Sequence, residues 1–83
     1  MNESPKDVVE VDARGLYCPI PVLRLASALA RCAPGKRALL LATDRDSIAD
    51  VDSYCRETGA TLISLRDEND VLIFEVENPA RPD

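Results

Sequence analysis

The sequence predicts an α/β two-layer sandwich of order βαβαββ, a four-stranded mixed sheet carrying two helices on one face. Three observations lead there. Apolar spacing changes twice from strand-like runs to a 3.6-residue period and back. Strand–helix–strand crossovers close right-handed, which sets both helices on the same side of the sheet. Finally, 83 residues with 46% hydrophobic and 30% charged content have the composition of one ordinary globular domain. The expected layout is a flexible N-terminal arm (1–7), a single domain (8–78) and a C-terminal tail (79–83).

Val8-Val9-Glu10-Val11-Asp12-Ala13 reads as the first strand, and Gly15 marks the turn that follows. From Pro19 to about Cys32, the apolar residues Val22, Leu25, Ala26 and Leu29 fall at i, i+3, i+4 and i+7 of a helix. Ala33-Pro34-Gly35-Lys36 supplies its stop. Arg37 to Thr43 is almost wholly apolar and is expected to be a strand buried on both faces. Asp44-Arg45-Asp46-Ser47 offers two candidate N-caps for a second helix, and the choice between them stays open. That helix carries Ile48, Val51, Cys55 and Thr58 on one stripe and stops at Gly59. Thr61–Leu65 and Val71–Val76 are two more strands, joined by the polar connection Asp67-Glu68-Asn69-Asp70.

Composition excludes several function classes. The formal net charge is −5 and the ten Lys and Arg residues are scattered, which disfavours direct binding to nucleic acid. No apolar run approaches membrane-spanning length, and the first residues lack a signal-peptide core, so a cytoplasmic location is expected. Three cysteines, an odd count, argue against a disulfide framework. With no histidine and no C-x-x-C pair, no metal is expected, and with no recognisable nucleotide or organic-cofactor motif, no other cofactor is expected.

The chemistry concentrates at Cys18, in Gly15-Leu16-Tyr17-Cys18-Pro19-Ile20-Pro21. If Cys18 is the N-cap, Pro19 is N1 and Pro21 is N3, so two of the usual orphan N–H donors are deleted. The helix dipole then predicts a stabilised thiolate, with a pKa below the free-thiol value of roughly 8.5. The missing histidine removes the usual base of cysteine hydrolases. What remains is sulfur-to-sulfur chemistry: persulfide transfer or thiol exchange. Cys32 lies fourteen positions along the same helix, about 21 Å away at ~1.5 Å per residue, too far for a bridge. Cys55 sits on the apolar stripe of the second helix. Both are read as structural, which favours a single-thiol carrier over a dithiol oxidoreductase. Arg14 is equally suited to stabilising a thiolate or persulfide anion and to a solvated position. Asp12 is read as fixing the turn, Tyr17 as part of a docking surface, and Asp44, Asp46 and Asp50 as caps or a docking patch.

Asp12 to Leu23, Asp-Ala-Arg-Gly-Leu-Tyr-Cys-Pro-Ile-Pro-Val-Leu, resembles the signature of the TusA (SirA-like) sulfur-carrier family, a Cys-Pro-x-Pro after an Asp-x-x-Gly-Leu turn. Pro34-Gly35, Ala42-Thr43-Asp44, Ser47-x-x-Asp50 and Cys55-Arg56-Glu57-Thr58-Gly59 extend the resemblance over Val11 to Glu77. It implies a fold like the C-terminal domain of a bacterial translation initiation factor. It also implies that Cys18 carries a persulfide from a cysteine desulfurase or rhodanese-like donor to a DsrE-like or other thiol acceptor. The pathways it implies are tRNA thiolation, molybdenum-cofactor synthesis or sulfur oxidation. By position, Asp12, Arg14, Gly15 and Leu16 frame the thiol, and Pro19 and Pro21 begin its helix. Many members, the tRNA-thiolation branch among them, have Glu between the two prolines where this chain has Ile20. The alternative is a non-enzymatic regulatory or protein-interaction module on the same fold.

Overall fold

The computed structural model describes residues 8–79. The expected arm (1–7) and all but Pro79 of the expected tail lie outside them. The elements are β1 (Val8–Ala13), α1 (Ile20–Ala30), β2 (Arg37–Ala42), α2 (Ser47–Thr58), β3 (Thr61–Glu68) and β4 (Val71–Glu77), in the predicted βαβαββ order. The sheet order is β1-β2-β4-β3. β1 and β2 are parallel, with Ala13 opposite Ala42, whereas β4 runs antiparallel to both β2 and β3. α2 therefore carries the chain past the position that β4 later fills.

Both helices cover the same face, as expected. Leu25 and Leu29 of α1 and Val51 of α2 meet Ala38, Leu40 and Ala42 of β2 and Leu72, Phe74 and Val76 of β4 in one buried cluster. Phe74 is its largest fully buried side chain, and burying a residue of this size stabilises by about 1.5–3 kcal/mol. The expectation that β2 is buried on both faces fails. Ala38, Leu40 and Ala42 are buried, but the alternate residues Arg37, Leu39 and Leu41 are only half-buried. The sheet has helices on one side only, so strand periodicity persists beneath a sequence that is apolar throughout.

Boundaries shift where chain segments meet. β3 runs to Glu68, beyond the expected Leu65, because Arg66, Asp67 and Glu68 pair with Ile73, Leu72 and Val71 of β4. The connection shrinks to Asn69 and Asp70, both with positive φ (54° and 67°), as a tight hairpin with the strands' own twist requires. α1 stops at Ala30, short of the expected Cys32. Its last carbonyls are met by the side chain of Asn78, whose Nδ2 donates to the oxygens of Leu29 and Cys32 at 3.0 Å each. The Asn78 backbone N–H also donates to Lys36 at 2.7 Å. One residue after β4 thus closes the end of α1. α2 ends as predicted on Gly59 in the left-handed region, φ 84°, with its N–H on the Cys55 carbonyl at 2.9 Å.

Two substitutions test this account. Asn78→Ala removes the side-chain donor of the Cys32 carbonyl and the second donor of Leu29, which keeps the Cys32 N–H, and is expected to lower unfolding free energy by about 1–3 kcal/mol in urea titration. Ser47, at the start of α2, is fully buried, and its Oγ has no hydrogen-bond partner among the described residues. Ser47→Ala is therefore expected to leave stability unchanged or raise it by up to about 1 kcal/mol. A capping serine would instead lose ~1 kcal/mol on the same change.

Candidate functional site

Because β1 and β2 are parallel neighbours, their carboxyl ends lie side by side and the two loops that leave them face each other. Open α/β sheets commonly place ligands outside the carboxyl ends of their strands. The first loop turns tightly: the Leu16 N–H donates to the Ala13 carbonyl at 3.2 Å, and Gly15 between them has φ 81°. That conformation disfavours a β-carbon. The Gly15 N–H then reaches the Thr43 Oγ1 of the second loop at 2.9 Å. Leu16 packs against the core and anchors the turn.

Asp12 and Arg14 lie on the same turn and hold each other. Asp12 Oδ1 accepts from the Arg14 backbone N–H at 3.1 Å and from its Nε at 2.9 Å, while Oδ2 accepts from Nη2 at 2.8 Å. The Arg14 side chain and backbone N–H hold the Asp12 carboxyl down at about 2, so Asp12 fixes the turn as an ionised acceptor. Arg14 is exposed and paired with Asp12, and among the described residues no hydrogen bond or ion pair joins it to Cys18.

Cys18 is exposed and does not cap α1. The N-cap is Pro19, with Ile20 the first helical residue and Pro21 the second, one place later than predicted. Pro21 is fully buried, and the Cys18–Pro19 peptide is cis. The helix N-terminus has little to offer the sulfur. Pro19 and Pro21 carry no N–H, and that of Ile20 is spent on the Tyr17 carbonyl at 2.8 Å. The Cys18 N–H itself goes to Asp44 Oδ2 at 2.7 Å.

The second loop surrounds the thiol with carboxylates. Asp44 accepts the Cys18 N–H through one oxygen and the Asp46 N–H through the other, at 3.0 Å; these two bonds hold its carboxyl below the usual range. Asp46 is the N-cap by backbone position, yet its side chain caps nothing. Asp50, one turn into α2, accepts a hydrogen bond from the Cys18 Sγ. That bond and desolvation, with the charges of Asp50, Asp44 and Asp46 added, push the thiol up to about 11. The expectation of a thiolate stabilised by the helix dipole is thus overturned: three nearby carboxylates outweigh a helix end that has lost two donors to proline and a third to the Tyr17 carbonyl.

Thr43, Asp44 and Asp50 are the residues that sequence reasoning missed as partners of the cysteine loop. The signal was their place in the family-like strings Ala42-Thr43-Asp44 and Ser47-x-x-Asp50, which carried no indication of contact. The other thiols stay apart. Cys32 Sγ donates to the Ala28 carbonyl beyond the far end of α1, and Cys55 is half-buried against the core. Burial, with a smaller contribution from Asp52, pushes the Cys55 thiol up. Near Cys18 in the chain, Tyr17 is 76% exposed, Leu23 57% and Ile20 40%, so the loop and first turn of α1 present large apolar side chains to solvent.

Titration of thiolate absorbance in a Cys32→Ser/Cys55→Ser background is expected to show Cys18 ionising near 11, and Asp50→Asn is expected to bring it down towards the ordinary thiol value. The sign follows from the cause: removing an anion that accepts the S–H bond makes the thiolate easier to form.

Comparison with known proteins gives a consistent result. The family model described as Sulfurtransferase TusA matches residues 9–78. The sulfur carrier protein TusA of Allochromatium vinosum is 35% identical over 65 residues, covering 78% of this chain and 86% of that one. Its namesake from Pseudomonas paraeruginosa is 30% identical over 76 residues, covering 92% and 95%. Among solved structures, the SirA-like protein from Desulfitobacterium hafniense superposes with a TM-score of 0.76 at 25% identity, covering 86% of this chain and 97% of that one. With the family model spanning nearly the whole described domain, this chain belongs to the TusA sulfurtransferase family.

Proposed function

We propose that this chain is a sulfur carrier that takes sulfane sulfur on Cys18 and passes it to the thiol of a partner protein. The observation that carries the reading is an exposed thiol, rigidly mounted between two prolines and a carboxylate-lined loop, with no second thiol beside it. Sγ forms a bond to the outer sulfur of a donor persulfide, the donor's S–S bond breaks, and the donor departs as a thiol. Delivery is the same exchange with the acceptor's thiol as nucleophile. No net oxidation or reduction occurs, so no cofactor is called for.

The protonated resting thiol supports the same reading. An exposed cysteine held as thiolate oxidises readily, whereas one kept as thiol is protected until a donor arrives. Tyr17, Ile20 and Leu23 give donor and acceptor proteins an apolar rim to dock on. A cysteine desulfurase or rhodanese-like donor and a DsrE-like or other thiol acceptor fit this chemistry, in the cytoplasm. The family resemblance leaves tRNA thiolation, molybdenum-cofactor synthesis and sulfur oxidation as possible destinations.

Incubation with a cysteine desulfurase and cysteine, followed by intact-mass analysis, is expected to add the mass of one sulfur atom. The adduct should vanish on reduction and be absent from Cys18→Ala. Loading that persists in Cys18→Ala would sink the proposal. Absence of loading in the unsubstituted chain, with partner binding retained, would favour the interaction-module alternative.

A further inference from the structure

A thiol that attacks a second sulfur must give up its proton, and the surroundings of Cys18 offer few places for it. The chain has no histidine. Asp12 is taken up by Arg14, and both Asp44 oxygens accept backbone N–H groups. The Asp50 Oδ2 touches the sulfur itself. We propose that Asp50 is a catalytic residue of the sulfur transfer, its Oδ2 taking the Cys18 proton as Sγ bonds to the outer sulfur of the donor persulfide.

This inference rests on the sulfur-carrier reading and adds a proton acceptor to it. In the step, the Sγ–S bond forms and the donor's S–S bond breaks. The electron pair of the broken bond leaves with the donor's inner sulfur. The proton moves from Sγ to Asp50 Oδ2 and then to the departing thiolate or to water. Cys18 thiol and donor persulfide become Cys18 persulfide and donor thiol, with every atom and charge accounted for.

The same contact explains how an unionised cysteine can react at neutral pH. With the thiol near 11, the preformed thiolate at pH 7 is a fraction on the order of 10⁻⁴, and a route that waits for ionisation forfeits that factor. A base already in hydrogen-bond contact contributes typically about 10²–10⁴-fold. Asp50 therefore both holds the proton on the resting thiol and receives it when the sulfur becomes electron-poor during attack. Asp44 and Asp46, from the loop before α2, face the same sulfur through their charge alone.

Asp50→Asn separates the two ways this carboxylate can act, because they differ in sign. If Asp50 only suppresses ionisation, the variant's thiolate fraction at pH 7 rises roughly 100-fold while its intrinsic nucleophilicity falls about tenfold, for a net gain of about tenfold. If Asp50 takes the proton, loading from glutathione persulfide slows by roughly 10²-fold even though the thiol is more acidic. The slower rate is expected, with Asp50→Glu recovering at least about a tenfold part of it. A variant that loads as fast as or faster than the unsubstituted chain overturns the proposal, as does an Asp50→Glu rate no better than that of Asp50→Asn. If the unsubstituted chain takes up no sulfur at Cys18, the sulfur-carrier reading itself fails, which is a different result.

Discussion

The parallel pairing of β1 with β2 is the constraint on which the site depends. With Ala13 opposite Ala42, the loops leaving the two strands emerge together, and every inter-loop bond at the cysteine follows from that register. Gly15 meets Thr43, the Cys18 N–H meets Asp44, and the Cys18 Sγ meets Asp50. A slip of one residue would turn the side chains of one strand to the opposite face and bury the wrong half of β2. Core and site are therefore specified by the same ladder.

Electrostatics at the site favour the second loop over the helix. A helix N-terminus acts on a neighbouring anion through its free N–H groups, and its influence fades within the first turn. At α1 two of those groups are removed by prolines and that of Ile20 is bonded to the Tyr17 carbonyl. Asp44, Asp46 and Asp50 act on the sulfur through their charges, and Asp50 through a direct hydrogen bond as well. The sulfur is thus kept neutral where a dipole argument alone would ionise it.

The fold was largely legible in the sequence because it rests on local signals. Apolar period, the Pro34-Gly35 and Gly59 stops, and right-handed crossovers suffice for order and layering. The open face of the sheet was not legible, since Leu39 and Leu41 are apolar whether covered or not. Nor was the length of β3, where Arg66-Asp67-Glu68 reads as a turn until its partners on β4 are known. At the site, Cys18 and its turn were evident from Gly15 and the prolines. The state of the thiol was not, because Asp50 is 32 residues away and acts through tertiary contact. Asn78 escaped notice for the same reason: its bonds to the end of α1 span 46 and 49 residues.

The separation of the three cysteines has a consequence for traffic through the molecule. Cys32 lies past the opposite end of α1, and Cys55 is packed against the core five residues beyond Asp50, about 7.5 Å further along its helix. Under the proposed carrier reading, a persulfide on Cys18 would have no internal thiol neighbour to cleave it, so the cargo would have no exit within the folded chain. Its dwell time would be set by how often a loaded molecule meets a competent thiol. Throughput would then be a property of the abundance and arrangement of the surrounding proteins, with this chain contributing a mount that holds its load until such a meeting.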